Sequence, residues 1–565
     1  MEDTTVQETK GTGALHKMFG TRPGEGMQPK EAISYSIAGL GQNLISGLVG
    51  SFVAYYFTNG LLIPSIAVGF IMLGVRLFDA LNDPIMGSIV DKTKTKDGKC
   101  RPYLKWMPIP IAVLTVLLFM PVNLSVVWTG VIMTGVYLVW SVVYTIVDVP
   151  YWGLATAMTS ETHQRGTVLT VARLFCTVGA GAISILIPSI SGFWLKGSVD
   201  EATGLILEGY EQGAALALRS NFWWLALIIA AISIPTFFIG YKNTKERFYK
   251  NEDVRPLREN LTLLFKNKPL MTIVVSGILG GAKTLCLYSA IFVAQYNLAA
   301  AGVVFFGMKG TALATVITLA VVPGGLIASL LVPWCTKKFG KKNTFIWSHI
   351  IGGLAMLAMG LCGVNGNWTK SWVLIVNLIG LVIAGVPQGF SNILSYAMIA
   401  DSVDYLEWKE GKRAEGICFA MQTFINKIGM AVGAAVSCFA LAWASIDPKN
   451  NATFSLEGNP GGLNLLFLIT ILVPAISMIL AAIPFFFYKF NEKEQALAIA
   501  ETLARKGIDA YGNALDGAVT ADAGRGYGDY AADANGAFEN GNYSADGDGS
   551  EVAFRNPDPD DTEDI

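Results

Sequence analysis

Twelve apolar stretches, each long enough to cross a bilayer, leave this 565-residue chain few folds to choose from. They run near 32–58, 62–90, 103–121, 126–157, 167–193, 220–241, 268–297, 302–333, 344–364, 371–400, 416–446 and 462–489. Hydrocarbon offers no water to backbone groups, so each stretch reads as a helix that satisfies its own. The predicted fold class is an all-α membrane protein, with twelve transmembrane helices in two six-helix pseudo-symmetric halves. Composition agrees: 52% of residues are hydrophobic, 15% are charged and the mean hydropathy is +0.47. Soluble chains carry roughly a quarter charged residues.

Basic residues set the expected topology. Lys92, Lys94, Lys96, Lys99, Arg101 and Lys105, eight residues between 242 and 268, and Lys337, Lys338, Lys341 and Lys342 fall on one side. Only Lys196, Arg219, Lys370 and Lys449 fall on the other. The positive-inside rule puts both termini in the cytoplasm of a multi-pass protein of the cytoplasmic membrane. The expected organisation is a cytoplasmic segment 1–31, helix bundles 32–241 and 268–489, a central loop 242–267 and a cytoplasmic tail 490–565. The first segment lacks the apolar core of a signal peptide. The tail holds seventeen acids against five bases; 490–507 is a candidate short helix and the remainder is too poor in aliphatic residues to fold. A short basic loop follows the second helix (Gly98 to Arg101) and recurs after the eighth (Lys337 to Lys342), suggesting paired repeats with a site between them.

Charge inside the spans marks the candidate site. Asp79 and Asp83 are four residues apart, so on a helix both carboxylates share one face, with Arg76 on that face and Asn82 beside them. Intramembrane acids face a bundle interior or a water-filled cavity, and an oxygen-lined pair suits a small cation. Asp148, Arg173, Lys283, Lys309 and Lys427 are the other charges in spans. At about 1.5 Å per residue, Asp79, Asp83, Asp148, Arg173 and Lys427 reach within about 10 Å of mid-membrane, with Asn43 near that level. Lys309 lies near an outer end and can snorkel. Tyr144, Asp148 and Trp152 recur at four-residue steps, placing a phenol, a carboxylate and an indole on one helix face. That trio suits a sugar: the carboxylate accepts hydroxyl hydrogens and the indole covers the apolar face of the ring. Arg173 is expected to orient Asp148 and donate to neighbouring hydroxyls.

The seven cysteines and three histidines form no metal-ligand spacing. No nucleophile–base pair or phosphate loop stands in the exposed segments, so an enzyme is not expected and no cofactor is called for beyond a coupling cation. The net charge of −2 gives no sign of a nucleic-acid partner. The expected partners are a small sugar or glycoside, a monovalent cation and the lipid bilayer, with the chain acting as a monomer.

The motifs DALNDP (79–84), GKCRPY (98–103), DVPYW (148–152) and ADSVDYLEWKEGKRAEG (400–416) resemble the glycoside–pentoside–hexuronide cation symporters of the major facilitator superfamily, over roughly residues 30–490. The resemblance implies a major facilitator fold and cation-coupled uptake by alternating access. It implies that Asp79, Asn82, Asp83 and Thr145 bind the coupling cation (Na⁺, Li⁺ or H⁺). It implies that Tyr144, Asp148, Trp152, Arg173, Thr423 and Lys427 bind substrate, with Lys427 a counter-charge to the cation site. Melibiose permeases carry Asp where this chain has Asn43, which points away from melibiose and toward xyloside- or glucuronide-type substrates. Rival readings are a carrier of lipid or another non-sugar solute on the same fold, and a non-transporting membrane sensor.

Overall fold

The computed structural model describes residues 27–505, apart from 94, 160–161, 248–256 and 412–414, together with His16, Met18 and Phe19. The expected behaviour of the tail beyond 505 lies outside the described residues. The chain divides into two compact units, Met1–Glu492 and Lys493–Ile565. The second is described only to Arg505 and is helical there.

Among its described residues the first unit is helical, with three isolated bridges in turns and no strand. The helices are α1 (Pro29–Tyr55), α2 (Ser65–Lys92), α3 (Arg101–Trp106 carried on by Pro108–Leu118), α4 (Val126–Met158), α5 (Thr162–Trp194) and α6 (Glu211–Asn243). After a short helix, Leu257–Lys266, comes α7, Lys268–Leu279 bent by 44° into Gly281–Leu298. Helices α8 and α9 are the two arms of Leu313–Gly363, and α10 (Ser371–Glu410), α11 (Glu415–Trp443) and α12 (Pro460–Phe486) complete the bundle.

Nine described helices are long and apolar enough to cross a membrane, ten with the bent α7 pair. The twelve expected spans differ from that number at two places. In α3 the apolar helix is only Pro108–Leu118, interrupted before Pro108, which has no N–H to extend the ladder. Between α8 and α9 a polar loop was expected at 334–343; the two helices run further than that, and the break between them falls at Gly340, whose φ of 78° and ψ of 160° are not helical. A helix that runs past the bilayer bonds its own backbone and carries lysines into water as readily as a loop does. Residues 302–309, expected to begin α8, form turns instead.

Small residues let the helices approach. A Cβ on Gly385 of α10 would lie 2.1 Å from the Val321 carbonyl of α8, and one on Gly389 equally close to that of Gly325. Four-residue spacing of glycines is the usual means of bringing two membrane helices into backbone contact. Helix α1 packs on α5 and α6, and α2 on α4; across the molecule α10 and α12 pack on α8–α9. The two sets meet along α2–α11 and α5–α8.

The expected repeat has a structural counterpart. Glu246, just after α6, accepts the backbone N–H groups of Lys99, Cys100 and Arg101 at 2.9, 2.8 and 2.7 Å. Glu492, just after α12, accepts the Lys341 N–H at 2.7 Å. In each case the first N–H donor follows a glycine of positive φ, Gly98 at 109° and Gly340 at 78°, a conformation other residues rarely adopt. Each six-helix set thus closes its basic corner with an acid placed after its last helix.

Candidate functional site

Helix α2 brings Asp79 and Asp83 to the seam with α11, and α11 brings Lys427 to both. Its ammonium lies 2.5 Å from Asp83 Oδ1 and 3.2 Å from Asp79 Oδ2. Thr145 of α4 donates its hydroxyl to Asp79 Oδ1 at 2.9 Å. Arg76, one turn before Asp79, stands off at 3.9 Å and lies over the Tyr137 ring at 5.8 Å. Asp79, Arg76 and Lys427 are buried, so these charges are held by one another rather than by water. Asn82 is half-buried, and its Nδ2 is enclosed without a partner. Among the described residues no cluster of three His, Cys, Asp or Glu side chains exists to hold a metal. Two carboxylates, a hydroxyl and an amide suit a small monovalent ion better than a tightly held divalent one.

On α4 the aromatic–acid face is present. Asp148 Oδ1 accepts from the Trp152 indole N–H at 3.1 Å, and Tyr144 stacks on Trp140 at 5.0 Å. The second donor to Asp148 Oδ1 is Gln42 of α1, at 2.5 Å; its amide also lies 3.4 Å from the Tyr144 hydroxyl. Asp148 Oδ2 takes no hydrogen bond from a described residue.

Of the other expected site residues, Arg173 makes a different contact from the one expected. Arg173 is exposed and forms no ion pair with Asp148; its guanidinium lies between the rings of Trp152 and Tyr396, at 5.2 and 4.5 Å. A planar cation between two aromatic faces gains from both without giving up its donors. Asn43 turns back on its own helix, donating to the Gly39 carbonyl at 3.0 Å, so α1 reaches Asp148 through Gln42 instead. Thr423, one turn before Lys427, is half-buried and makes no hydrogen bond to a described residue. Gln42 and Tyr396 were missed. Gln42 adjoins Asn43 in the one polar pair of an apolar stretch, a signal that could have found it. Tyr396 has no such signal, because a lone tyrosine in a span reads as packing.

A family model for MFS/sugar transport proteins matches residues 34–492. The chain is 30% identical over 474 residues to the isoprimeverose transporter of Lactiplantibacillus pentosus, across 82% of this chain and 89% of that protein. It is 28% identical over 485 residues to the glucuronide carrier protein homolog of Escherichia coli K12, across 84% and 96%. Among solved structures the nucleoside transporter NupG superposes with a TM-score of 0.53 at 14% identity, covering 81% of this chain and all of that one. A D-xylose-proton symporter gives 0.51 at 12% identity, covering 81% and 97%. At such identities the structures speak for the fold alone. The chain belongs to the MFS sugar transport proteins, within the glycoside–pentoside–hexuronide cation symporters.

Proposed function

We propose that the protein imports a glycoside, pentoside or hexuronide together with Na⁺, Li⁺ or H⁺, by alternating access in the cytoplasmic membrane, both termini inside, as a monomer. The observation that carries this reading is the Lys427 ammonium seated between Asp79 and Asp83. A side-chain cation there holds the place of a mobile one. An entering ion competes with Lys427 for the same oxygens, and release of Lys427 frees the α11 face that also bears Thr423. On α4 the uncommitted Asp148 Oδ2 accepts sugar hydroxyl hydrogens, and Trp152, backed by Arg173, covers the ring face. Cation and sugar then favour the same arrangement of α2, α4 and α11, which is the coupling a symporter needs. Relatives named as isoprimeverose and glucuronide carriers support a glycoside as the cargo.

Thermal-shift screening of the purified protein tests this, with a panel of xylosides, glucuronides and galactosides, with and without Na⁺ or Li⁺ and at lowered pH. At least one glycoside raises the melting temperature, and raises it further with one of the cations. A panel without effect, or an effect indifferent to every cation and to pH, contradicts the proposal.

A further inference from the structure

Lys283 takes no part in either cluster described above. It stands where α7 breaks: Lys268–Leu279 ends at Gly280 and Gly281–Thr284 forms a tight turn before the helix resumes. Ser477 of α12 repairs the break, donating to the Leu279 carbonyl at 2.7 Å and accepting the Ala282 N–H at 3.1 Å. Broken helices at mid-membrane are where transporters of many folds place their ligand sites. The break opens on a cavity of about 240 Å³ lined by Lys283, Gln388, Asn392, Ser395, Gln422 and Asn426 among others. That is below the 300–1,000 Å³ or so that holds a drug-sized ligand, and is of the scale of a single sugar.

Among the described residues that line this cavity, the lysine alone is charged. Its Nζ donates to Ser391 Oγ at 2.9 Å, and Ser391 lies 3.2 Å from His349 Nε2. His349 Nδ1 lies 2.9 Å from the Phe345 carbonyl, so Nδ1 carries the hydrogen. In a neutral imidazole Nε2 is then an acceptor, which takes the Ser391 hydroxyl hydrogen and turns the serine's lone pairs toward Lys283. One donor of the ammonium is fixed by this relay and two remain. No described carboxylate lies within ion-pair distance. An uncompensated ammonium among membrane helices is costly, and an anion is what relieves it. Gln422 Oε1 is enclosed without a partner on the same wall. Gln422 and Asn426 immediately precede Thr423 and Lys427 on α11, so the cavity adjoins the α11 face that meets Asp79 and Asp83.

We propose that this cavity is an anion subsite in the second six-helix set, where Lys283 takes the carboxylate of an acidic sugar and the amides of Gln388, Asn392 and Asn426 meet its hydroxyls. This rests on the reading that the protein carries sugars, and adds that its substrate is a uronide.

Isothermal titration of the full-length protein with methyl β-glucuronide and methyl β-glucoside tests it. The ratio of their affinities does not depend on the fraction of active protein. Wild type binds the glucuronide at least tenfold more tightly. Lys283→Gln brings the ratio toward one, and Lys283→Arg keeps most of it. Absence of a preference in wild type overturns the proposal without reference to any variant, and so does a ratio that survives Lys283→Gln. Binding of the glucoside or a xyloside in either of those cases leaves sugar transport standing and removes only the subsite. If neither probe nor any xyloside binds, the sugar reading falls and the subsite falls with it.

Discussion

Asp148 joins two helices at one oxygen: Trp152 on its own helix and Gln42 from α1 both donate to Oδ1, leaving Oδ2 to a ligand. Asp148→Asn keeps the size and loses the charge. Glycoside affinity then falls at least tenfold, about 1.4 kcal/mol or more, by titration of folded protein; an unchanged isotherm would make the cluster purely structural. Gln42→Ala frees the carboxylate to swing and weakens binding severalfold, whereas Asn43→Ala, whose amide serves its own helix, changes it little. The reverse order in the same titration restores Asn43 to the substrate wall. The four-residue spacing of Tyr144, Asp148 and Trp152 was legible because helical periodicity fixes which residues share a face. Gln42 and Tyr396, which meet Asp148 and Arg173 from other helices, were not. Opposite charge suggested Arg173 for Asp148, but two aromatic faces hold the guanidinium instead.

At the scale of elements, the hydropathy of the chain foretold where helices run, since hydrocarbon leaves the backbone no alternative. It did not foretell that the break between α8 and α9 narrows to Gly340, because lysines at a membrane edge look the same in loop and helix. Nor did it show that the corner after α2 is tied to the end of α6. Glu246 accepts three backbone N–H groups there, while the exposed Glu492 accepts one in the second set. Hydrogen bonds to a charged group contribute about 1.5–3 kcal/mol each and add incompletely. Glu246→Ala therefore lowers the melting temperature by several degrees and clearly more than Glu492→Ala does. Equal shifts would show that the tie at Glu246 contributes no more than its counterpart.

For the whole molecule, the two six-helix sets are joined at the end away from Pro29. The Tyr55 hydroxyl and the Asn59 amide both donate to Gln295 Oε1, at 2.6 and 3.0 Å, and Ser191 bonds Thr311 at 2.5 Å. Gly204 and Gly310 meet backbone to backbone, and a Cβ on Gly204, φ 75°, would lie 2.8 Å from the Gly310 nitrogen. Alternating access requires this contact to open and close. Gly204→Ala obstructs closure and slows glycoside uptake about tenfold, roughly 1.4 kcal/mol, while binding to detergent-solubilised protein persists; uptake at the wild-type rate would show that the contact is not a gate. The pairing of halves was legible from two basic loops, but which residues meet across the seam was not, because complementarity of small side chains leaves no periodic trace. The central claim is that a cation at Asp79 and Asp83, in place of Lys427, drives the sugar uphill. Its most direct test is glycoside accumulation in proteoliposomes under an inward gradient of Na⁺, Li⁺ or H⁺, with wild type beside Asp79→Asn. The account predicts that wild type concentrates the sugar against its own gradient and that Asp79→Asn binds it without concentrating it; accumulation by the variant, or none by wild type under any of the three gradients, contradicts it.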